Sequence, residues 1–336
     1  MEINEVGEFR LIERIQSKLS SSHHDIIKGI GDDAAITQIQ NGRFLISTSD
    51  ILIEDVHFKL SFTSAHHLGK KSLAVNISDI AAMGGIPRFF LVSLGIPRHI
   101  SVEFVDEFTG GLLETAQSFQ TYLVGGDTSL SPDKLVISIT LLGETLPGQE
   151  IYRDTAQIGD LIFVTGNLGD SALGLEILKN GRDLSGVEAA FMDVIERHIN
   201  PTPRVHEGRI IAENCIASAM IDISDGLLSD LRHICDQSKV GAKLLLSKLP
   251  TSDAFQKYAR DMADHPIDLS LNGGEDYELL FTVERRNVDL LNEMKRRFKT
   301  KVTHIGEITE REYGITVLDH ENRKYIPKRK GFDHFI

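Results

Sequence analysis

Six short segments of this 336-residue chain share one grammar: an apolar run leads into a polar turn that holds an acidic residue, often with glycine beside it. They are Gly29-Ile30-Gly31-Asp32-Asp33-Ala34, Ser47-Thr48-Ser49-Asp50, Asn76-Ile77-Ser78-Asp79, Gly125-Gly126-Asp127-Thr128, Ile221-Asp222-Ile223-Ser224-Asp225-Gly226 and Gly273-Gly274-Glu275-Asp276-Tyr277-Glu278. Any one of them alone reads as an ordinary turn or helix cap, because Asp, Ser and Gly are common turn formers. Six in one chain, two of them with adjacent carboxylates (Asp32-Asp33 and Glu275-Asp276), carry a like-charge repulsion that a cation relieves. Mg²⁺ takes hard oxygen ligands and is typically held by single carboxylates from different loops together with substrate phosphates. Acidic residues at the ends of strands suit that requirement.

Charge points the same way. The chain has 49 Asp and Glu against 36 Lys and Arg, a formal net charge of −13 that repels nucleic-acid backbones and anionic membranes. A phosphate-bearing ligand therefore needs cations as intermediaries. The opening MEINEVGEFRLIERIQ is polar and acidic, unlike a signal peptide, and no apolar run approaches a membrane span. Cys215 and Cys235 are not paired as CxxC, so neither a disulfide framework nor a zinc site is expected, and the cytoplasm is the default compartment.

The length exceeds what one core usually supports, and two domains are expected. Phe9, Ile12, Ile15 and Leu19 have helical spacing over 5–19. AAITQI and RFLISTSDILI read as strands joined at Asn41-Gly42. A helix follows from about Ala65 to Met83, stopped by Gly84-Gly85 and Pro87. FFLVSLGIP is a strand, 101–119 a helix, and TYLVGG and KLVISITLLGE are strands. The pattern breaks at Leu146-Pro147-Gly148, which divides the chain into α+β domains at 1–148 and 149–336. In the second half IGDLIFVTG runs into the helix GDSALGLEIL, MIDISDGLLSDLRHI is strand to helix, and KLLL, YELLFTV and VTHIGEIT are strands around a helix near 287–297.

Gly-Gly before Asp127 and before Glu275 allows left-handed backbone and a close approach of main-chain N–H groups to phosphate. Thr165-Gly166-Asn167-Leu168-Gly169-Asp170 could offer a helix N-terminus to an anion, although it lacks the G-x-G-x-x-G spacing. No G-x-x-x-x-G-K-[ST] occurs, Gly69-Lys70-Lys71-Ser72 having the wrong spacing, so this is not a P-loop ATPase. His57, after Glu54-Asp55-Val56, could hydrogen-bond a substrate, and Arg153, beside the domain boundary, could meet a nucleotide phosphate; an idle surface role fits either as well. His198-Ile199-Asn200-Pro201-Thr202-Pro203-Arg204, with two prolines in front of a helix, reads as a rigid connector with a structural role.

Taken in order, GIGDDAA, STSDILIEDVHF, LAVNISDIAAMGGIP, LVGGDTS, VTGNLGDSALGL, PTPR, IDISDGLLSDL, NGGEDYELLFTV, HIGEIT and GFDHF resemble the thiamine-monophosphate kinases, in the ATP-binding superfamily that includes aminoimidazole-ribonucleotide synthetase. The resemblance runs from Gly7 to Phe335. It implies an N-terminal α+β domain whose sheet pairs with that of a second subunit in a dimeric β-barrel, a C-terminal α+β domain, and Mg²⁺-assisted in-line transfer from ATP to thiamine monophosphate. It places several Mg²⁺ ions on Asp33, Thr48, Ser49, Asp50, Asp79, Asp127, Asp222 and Asp225, the nucleotide on Gly126, Asp127, Arg153 and Ser224, and thiamine phosphate on His57, Glu275 and Phe332. Thr109 stands where the family often has tyrosine, which puts any contact of that ring in doubt. Asp32, Asp55 and Asp276 become supporting residues.

The acceptor is already an anion near neutral pH, so positioning and electrostatics are expected to carry the reaction, and no residue is cast as acid or base. The alternatives are another phosphoryl-transfer member of the superfamily and a non-catalytic sensor of Mg-ATP. Neither terminus has the cysteine that selenophosphate synthetase or the hydrogenase-maturation protein would need.

Overall fold

The computed structural model describes residues 24–39, 42–179, 189–261 and 266–328, with Ile12 and Ser17 besides. The expected opening helix, apart from those two residues, and Phe332 lie outside them. The first half builds one sheet from β1 (Ile26–Lys28), β2 (Ala35–Ile39), β3 (Arg43–Ile53), β4 (Ile86–Ile96), β5 (Tyr122–Leu130) and β6 (Val136–Thr145), in the order β1-β2-β3-β6-β4-β5. Only β4 and β5 pair in parallel. Strand alternation sorts the faces. Phe44, Ile46 and Leu52 of β3 join Ile137, Ile139 and Leu141 of β6 in a core covered by α1 (Ala65–Ala82) and α2 (Val102–Ser118).

Helix α1 is buried nearly all round, because the sheet and α2 cover one side and the second domain the other. Ser64 caps it, its Oγ accepting the His67 N–H at 3.2 Å. It crosses α2 so closely that a Cβ on Gly69 would sit 1.9 Å from the Phe108 carbonyl oxygen, and one on Gly111 the same distance from that of His66. Side chains at either position would force the helices apart.

The second half builds a seven-stranded sheet. Its elements are β7 (Leu161–Thr165), α3 (Asp170–Lys179), α4 (Ala189–Ile199), α5 (Val205–Glu213), β8 (Ala219–Asp222), α6 (Leu227–Ser238), β9 (Gly241–Leu245), α7 (Asp253–Asp261), α8 (Ile267–Asn272), β10 (Leu279–Val283), α9 (Val288–Met294), β11 (Val302–Thr309), β12 (Ile315–Leu318) and β13 (Lys324–Tyr325). The order is β13-β12-β9-β11-β7-β10-β8. Strands β7, β8 and β10 are buried on both faces and are mostly apolar, since α6 packs on one side and α5 with α1 on the other. Arg204, at the end of Pro201-Thr202-Pro203-Arg204, grips the carboxylate of Glu278 with both Nε and a terminal nitrogen, which makes this segment the structural brace its prolines suggest.

Three of the six acidic segments are not turns. Ser47–Asp50 lies inside β3, Asn76–Asp79 inside α1, and Gly125–Thr128 inside β5. Strand pairing overrides the local turn chemistry of Ser and Gly: β6 runs beside β3 through Ile53, and β4 holds β5 to Leu130.

Candidate active site

Strand β2 begins at Ala35, opposite Ser47, so the edge of β3 beyond that point is left open. Asn76 of α1 fills the gap, its Oδ1 accepting the backbone N–H of Asp50 at 3.2 Å. The same docking lets Thr48 Oγ1 donate to Asp79 Oδ2 and Ser78 Oγ to Asp222 Oδ2 at 2.6 Å. Asp222 ends β8, so Ser78 joins the two domains at this point.

Carboxylate oxygens of Asp33, Asp79 and Asp222 all lie within 4.8 Å of one another. Burial, and then the charge of Asp222, pushes Asp50 up to about 7. Asp79 is raised well above the carboxylate range by burial and by Asp50, Asp222 and Asp33. Asp33 is raised likewise, in spite of Arg153. Asp33 Oδ2 is buried with no hydrogen-bond partner among the described residues. Asp79 also sits in the last turn of α1, where the helix dipole is negative and no basic side chain answers it. An all-oxygen donor set, crowded, under-neutralised and with an orphaned acceptor, fits a hard divalent cation.

Arg153 Nε meets Asp32 Oδ1 at 3.2 Å, and its NH2 meets Asp33 Oδ1 at 2.9 Å. Asp32, also 3.2 Å from Lys28 Nζ, thus holds the arginine and leaves Asp33 facing the cluster. On the other side Asp225 and Ser224 lie in the turn from β8 to α6. Asp225, Asp230 and His233 also have ligand atoms within 4.8 Å of one another. Asp230 Oδ2 accepts the N–H groups of Asp225 and Gly226 at 3.2 and 3.1 Å and shapes that turn.

The cluster opens into a cleft of about 1110 Å³ between the domains, lined by Asp50, Asp79, Asp222, Ser224 and Asp225 at one end and by His57, Phe58, Phe62, His198, Glu275 and Tyr277 elsewhere. His57 is set by the tight turn after β3. Its Nδ1 accepts the Ile53 N–H at 3.0 Å, so the neutral ring carries its proton on Nε2, by assignment from that bond. Glu275 has φ of +67° and receives Lys71 Nζ on Oε1 at 2.7 Å. Gly274 beside it is fixed by crowding rather than by a left-handed turn, since a Cβ there would lie 2.4 Å from the Ser224 carbonyl oxygen.

Some expected site residues stand elsewhere. Ser49 lines the cleft, but its side chain turns to the other face of the strand from Thr48 and Asp50, with its Oγ 3.2 Å from Thr140 Oγ1. Asp127 and Gly126 lie on β5, three strands from Asp50 across β6 and β4, roughly 14 Å at a strand spacing of about 4.8 Å. Gly126 approaches the Val92 carbonyl, not a turn. The N-terminus of α3, read as an anion site, is taken by the chain's own Asp276, which accepts the N–H groups of Gly169 and Ser171 at 2.7 and 3.1 Å. Asp55 is exposed and paired with Lys134 at 2.5 Å. Thr109 Oγ1 donates back to Val105 O at 2.8 Å. Phe332 is outside the described residues. Ser78, Asn76, Lys71 and His198 escaped the sequence reading as site residues. The first two sat within a recognised acidic segment, and only their place on the helix face that meets β3 and β8 distinguishes them.

Comparison with known proteins decides the family. The model of "AIR synthase related protein, N-terminal domain" matches residues 31–145 and that of the corresponding C-terminal domain residues 157–319. The thiamine-monophosphate kinase of Buchnera aphidicola subsp. Acyrthosiphon pisum is 38% identical over 332 residues, covering 98% of each chain. This chain belongs to the thiamine-monophosphate kinase family. The Bacillus subtilis member is 38% identical over 334 residues, 98% of this chain and 100% of its own. A solved structure of AaThiL complexed with AMPPCP and TMP superposes with a TM-score of 0.86 at 36% identity, covering 99% of both chains. The two-domain fold of the family is therefore the fold described above. Among the described residues no helix is long and apolar enough to cross a membrane.

Proposed function

We propose that this chain transfers the γ-phosphoryl group of ATP to the phosphate of thiamine monophosphate, releasing ADP and thiamine diphosphate. The observation that carries the reading is a single cleft with buried carboxylates from both domains at one end and His57 with Glu275 further along it. Full-length relatives of the same activity and a neighbour holding AMPPCP and TMP support it. An acceptor phosphate oxygen attacks the γ-phosphorus, the bond to the β–γ bridging oxygen breaks, and ADP leaves. The acceptor is already anionic, so no side chain need remove its proton.

Asp33, Thr48, Asp50, Asp79, Asp222 and Asp225 would hold Mg²⁺, with Ser49 contributing through its backbone. Bound there, Mg²⁺ supplies the positive charge that neutralises two phosphate groups brought together. Arg153 and Ser224 would meet the nucleotide, while His57 would donate from Nε2 and Glu275 offer a carboxylate to a cationic ring. Phe332 is kept as an aromatic contact to that ring. We place the domain boundary at 148/149 and the protein in the cytoplasm, where its co-substrate is.

The working unit is a homodimer. Strand β5 is exposed along its whole length, and Tyr122, Val124 and Leu130 on it, with Phe89, Leu91 and Ile51 on the outer face, leave an apolar surface and an edge with no strand beside it among the described residues. A second copy laid on that face, the two sheets closing as a barrel, covers it and carries Gly126 and Asp127 of each chain towards the carboxylates of the other. Assaying ADP release with thiamine, thiamine monophosphate and formylglycinamidine ribonucleotide tests the function. ADP appearing only with thiamine monophosphate is expected; a response to thiamine but not to its monophosphate refutes it.

A further inference from the structure

Lys71 is 2% exposed, in the middle of α1, and far from the solvated position its charge would favour. Its Nζ donates to Glu275 Oε1 at 2.7 Å and to the His198 carbonyl at 3.2 Å. The His198 ring lies 3.3 Å from the second oxygen of the same carboxylate, Oε2, through Nδ1, which is also 3.1 Å from Ser171 Oγ. Both oxygens of Glu275 are thereby anchored from behind, while part of the carboxylate still faces the cleft. The backbone is constrained as well: Glu275 and Tyr277 both have positive φ, and the Glu275 N–H is tied to Ser224 O at 2.7 Å.

A buried ion pair is a weak source of stability, since apolar residues of like volume do as well. What it does supply is orientation. Asp79, eight residues along the same helix, is about 12 Å from Lys71 at 1.5 Å per residue. One rigid helix thus holds the phosphate-handling end of the cleft and the Glu275 end at a set separation, as a substrate with a phosphate at one end and a cationic ring system at the other requires.

We infer that Lys71 and His198 are positioning residues for the acceptor substrate, locking the Glu275 carboxylate in the orientation that receives its cationic ring. This rests on the proposed function, in which Glu275 contacts thiamine monophosphate. The test is a double-mutant cycle of Lys71→Met and Glu275→Gln, read as KM for thiamine monophosphate, KM for ATP and melting temperature. Lys71→Met is expected to raise KM for thiamine monophosphate about 10- to 100-fold, the size of effect seen when a partner that orients a ligand-binding group is lost, with KM for ATP unchanged. In the Glu275→Gln background the same substitution should add nothing to KM. The double variant strands no charge, so it reports even where Lys71→Met alone fails to fold. An equal KM increase in both backgrounds, or a lowered melting temperature with KM unchanged, overturns the positioning role in an enzyme that is otherwise active. A wild-type protein that forms no ADP with thiamine monophosphate overturns the phosphoryl-transfer reading, and this inference with it.

Discussion

The two ends of the cleft treat buried charge in opposite ways. At the Asp33, Asp50, Asp79 and Asp222 end, burial raises all four carboxylates, repulsion between them adds to it at Asp33, Asp50 and Asp79, and Arg153 offsets it only at Asp33 and Asp222. At the Glu275 end the chain answers its own charge. Burial would raise the Glu275 carboxyl, but the Lys71 ammonium holds it below the ordinary range. Burial, then Lys71, drives His198 itself down to about 3, so the ring there is neutral. One end waits for cations from solution, and the other is complete before substrate arrives. That contrast separates the proposed metal site from the proposed substrate-orienting wall, although both appear in sequence as Gly, Asp and Glu in polar segments.

The contrast is broken most directly at Asp50. Asp50→Asn is expected to lower kcat by about 10²- to 10³-fold, as losing one charge-stabilising group does, while raising the melting temperature of metal-free protein because a repelling charge is gone. Steady-state kinetics and a melt in EDTA check both; a lowered melting temperature would mean Asp50 is a structural support. If the proposed dimer forms, Val124→Lys on β5 should convert it to monomer in light scattering and cost roughly 100-fold in kcat, because Asp127 would be withdrawn from the partner's site. An active monomer would place the whole site in one chain.

Cation binding sharpens the same comparison. Millimolar Mg²⁺ should stabilise the protein by about 2.7 kcal/mol when it reaches a hundred times its Kd, measured by denaturation with and without EDTA. Asp79→Asn should remove most of that gain, and Lys71→Met none of it.

The smallest effect is in pH. His198 has its folded pKa below the unfolded value, so the folded state binds fewer protons between pH 6.5 and about 3. Its contribution is whole above pH 6.5 and falls by about 1.4 kcal/mol per unit as pH drops, roughly 2 kcal/mol by pH 5. Asp50 works the other way in metal-free protein: a folded pKa raised to about 7 makes its contribution grow as pH falls from 7 towards 4. Urea titrations of His198→Asn and Asp50→Asn against wild type should give difference slopes of opposite sign.

Element type was legible where periodicity ran unbroken. The strand over FFLVSLGIP, the helices over 65–83 and 101–119, and β9 to β11 appear within a few residues of where the spacing puts them. The acidic segments were legible as a set from side-chain chemistry, whereas choosing Asp33 over Asp32 and Glu275 over Asp276 rested on the family resemblance. The grouping of the segments was not legible. Whether Asp127 joins Asp50 depends on the strand order β3-β6-β4-β5, which no local pattern encodes, and Ser49 turns away from Thr48 because pleating alternates the faces of β3. Lys71 is the clearest case. In sequence it is a lysine beside another lysine, one more solvated charge on a helix. Only when α1 is enclosed by its own sheet on one side and the second domain on the other does that position become buried, and only there does a carboxylate from residue 275 meet it. Composition and spacing thus determined what chemistry the chain carries. Tertiary packing decided which charges are left for a cation and which the protein neutralises itself, because charges separated by some two hundred residues interact strongly only once folding removes the water between them.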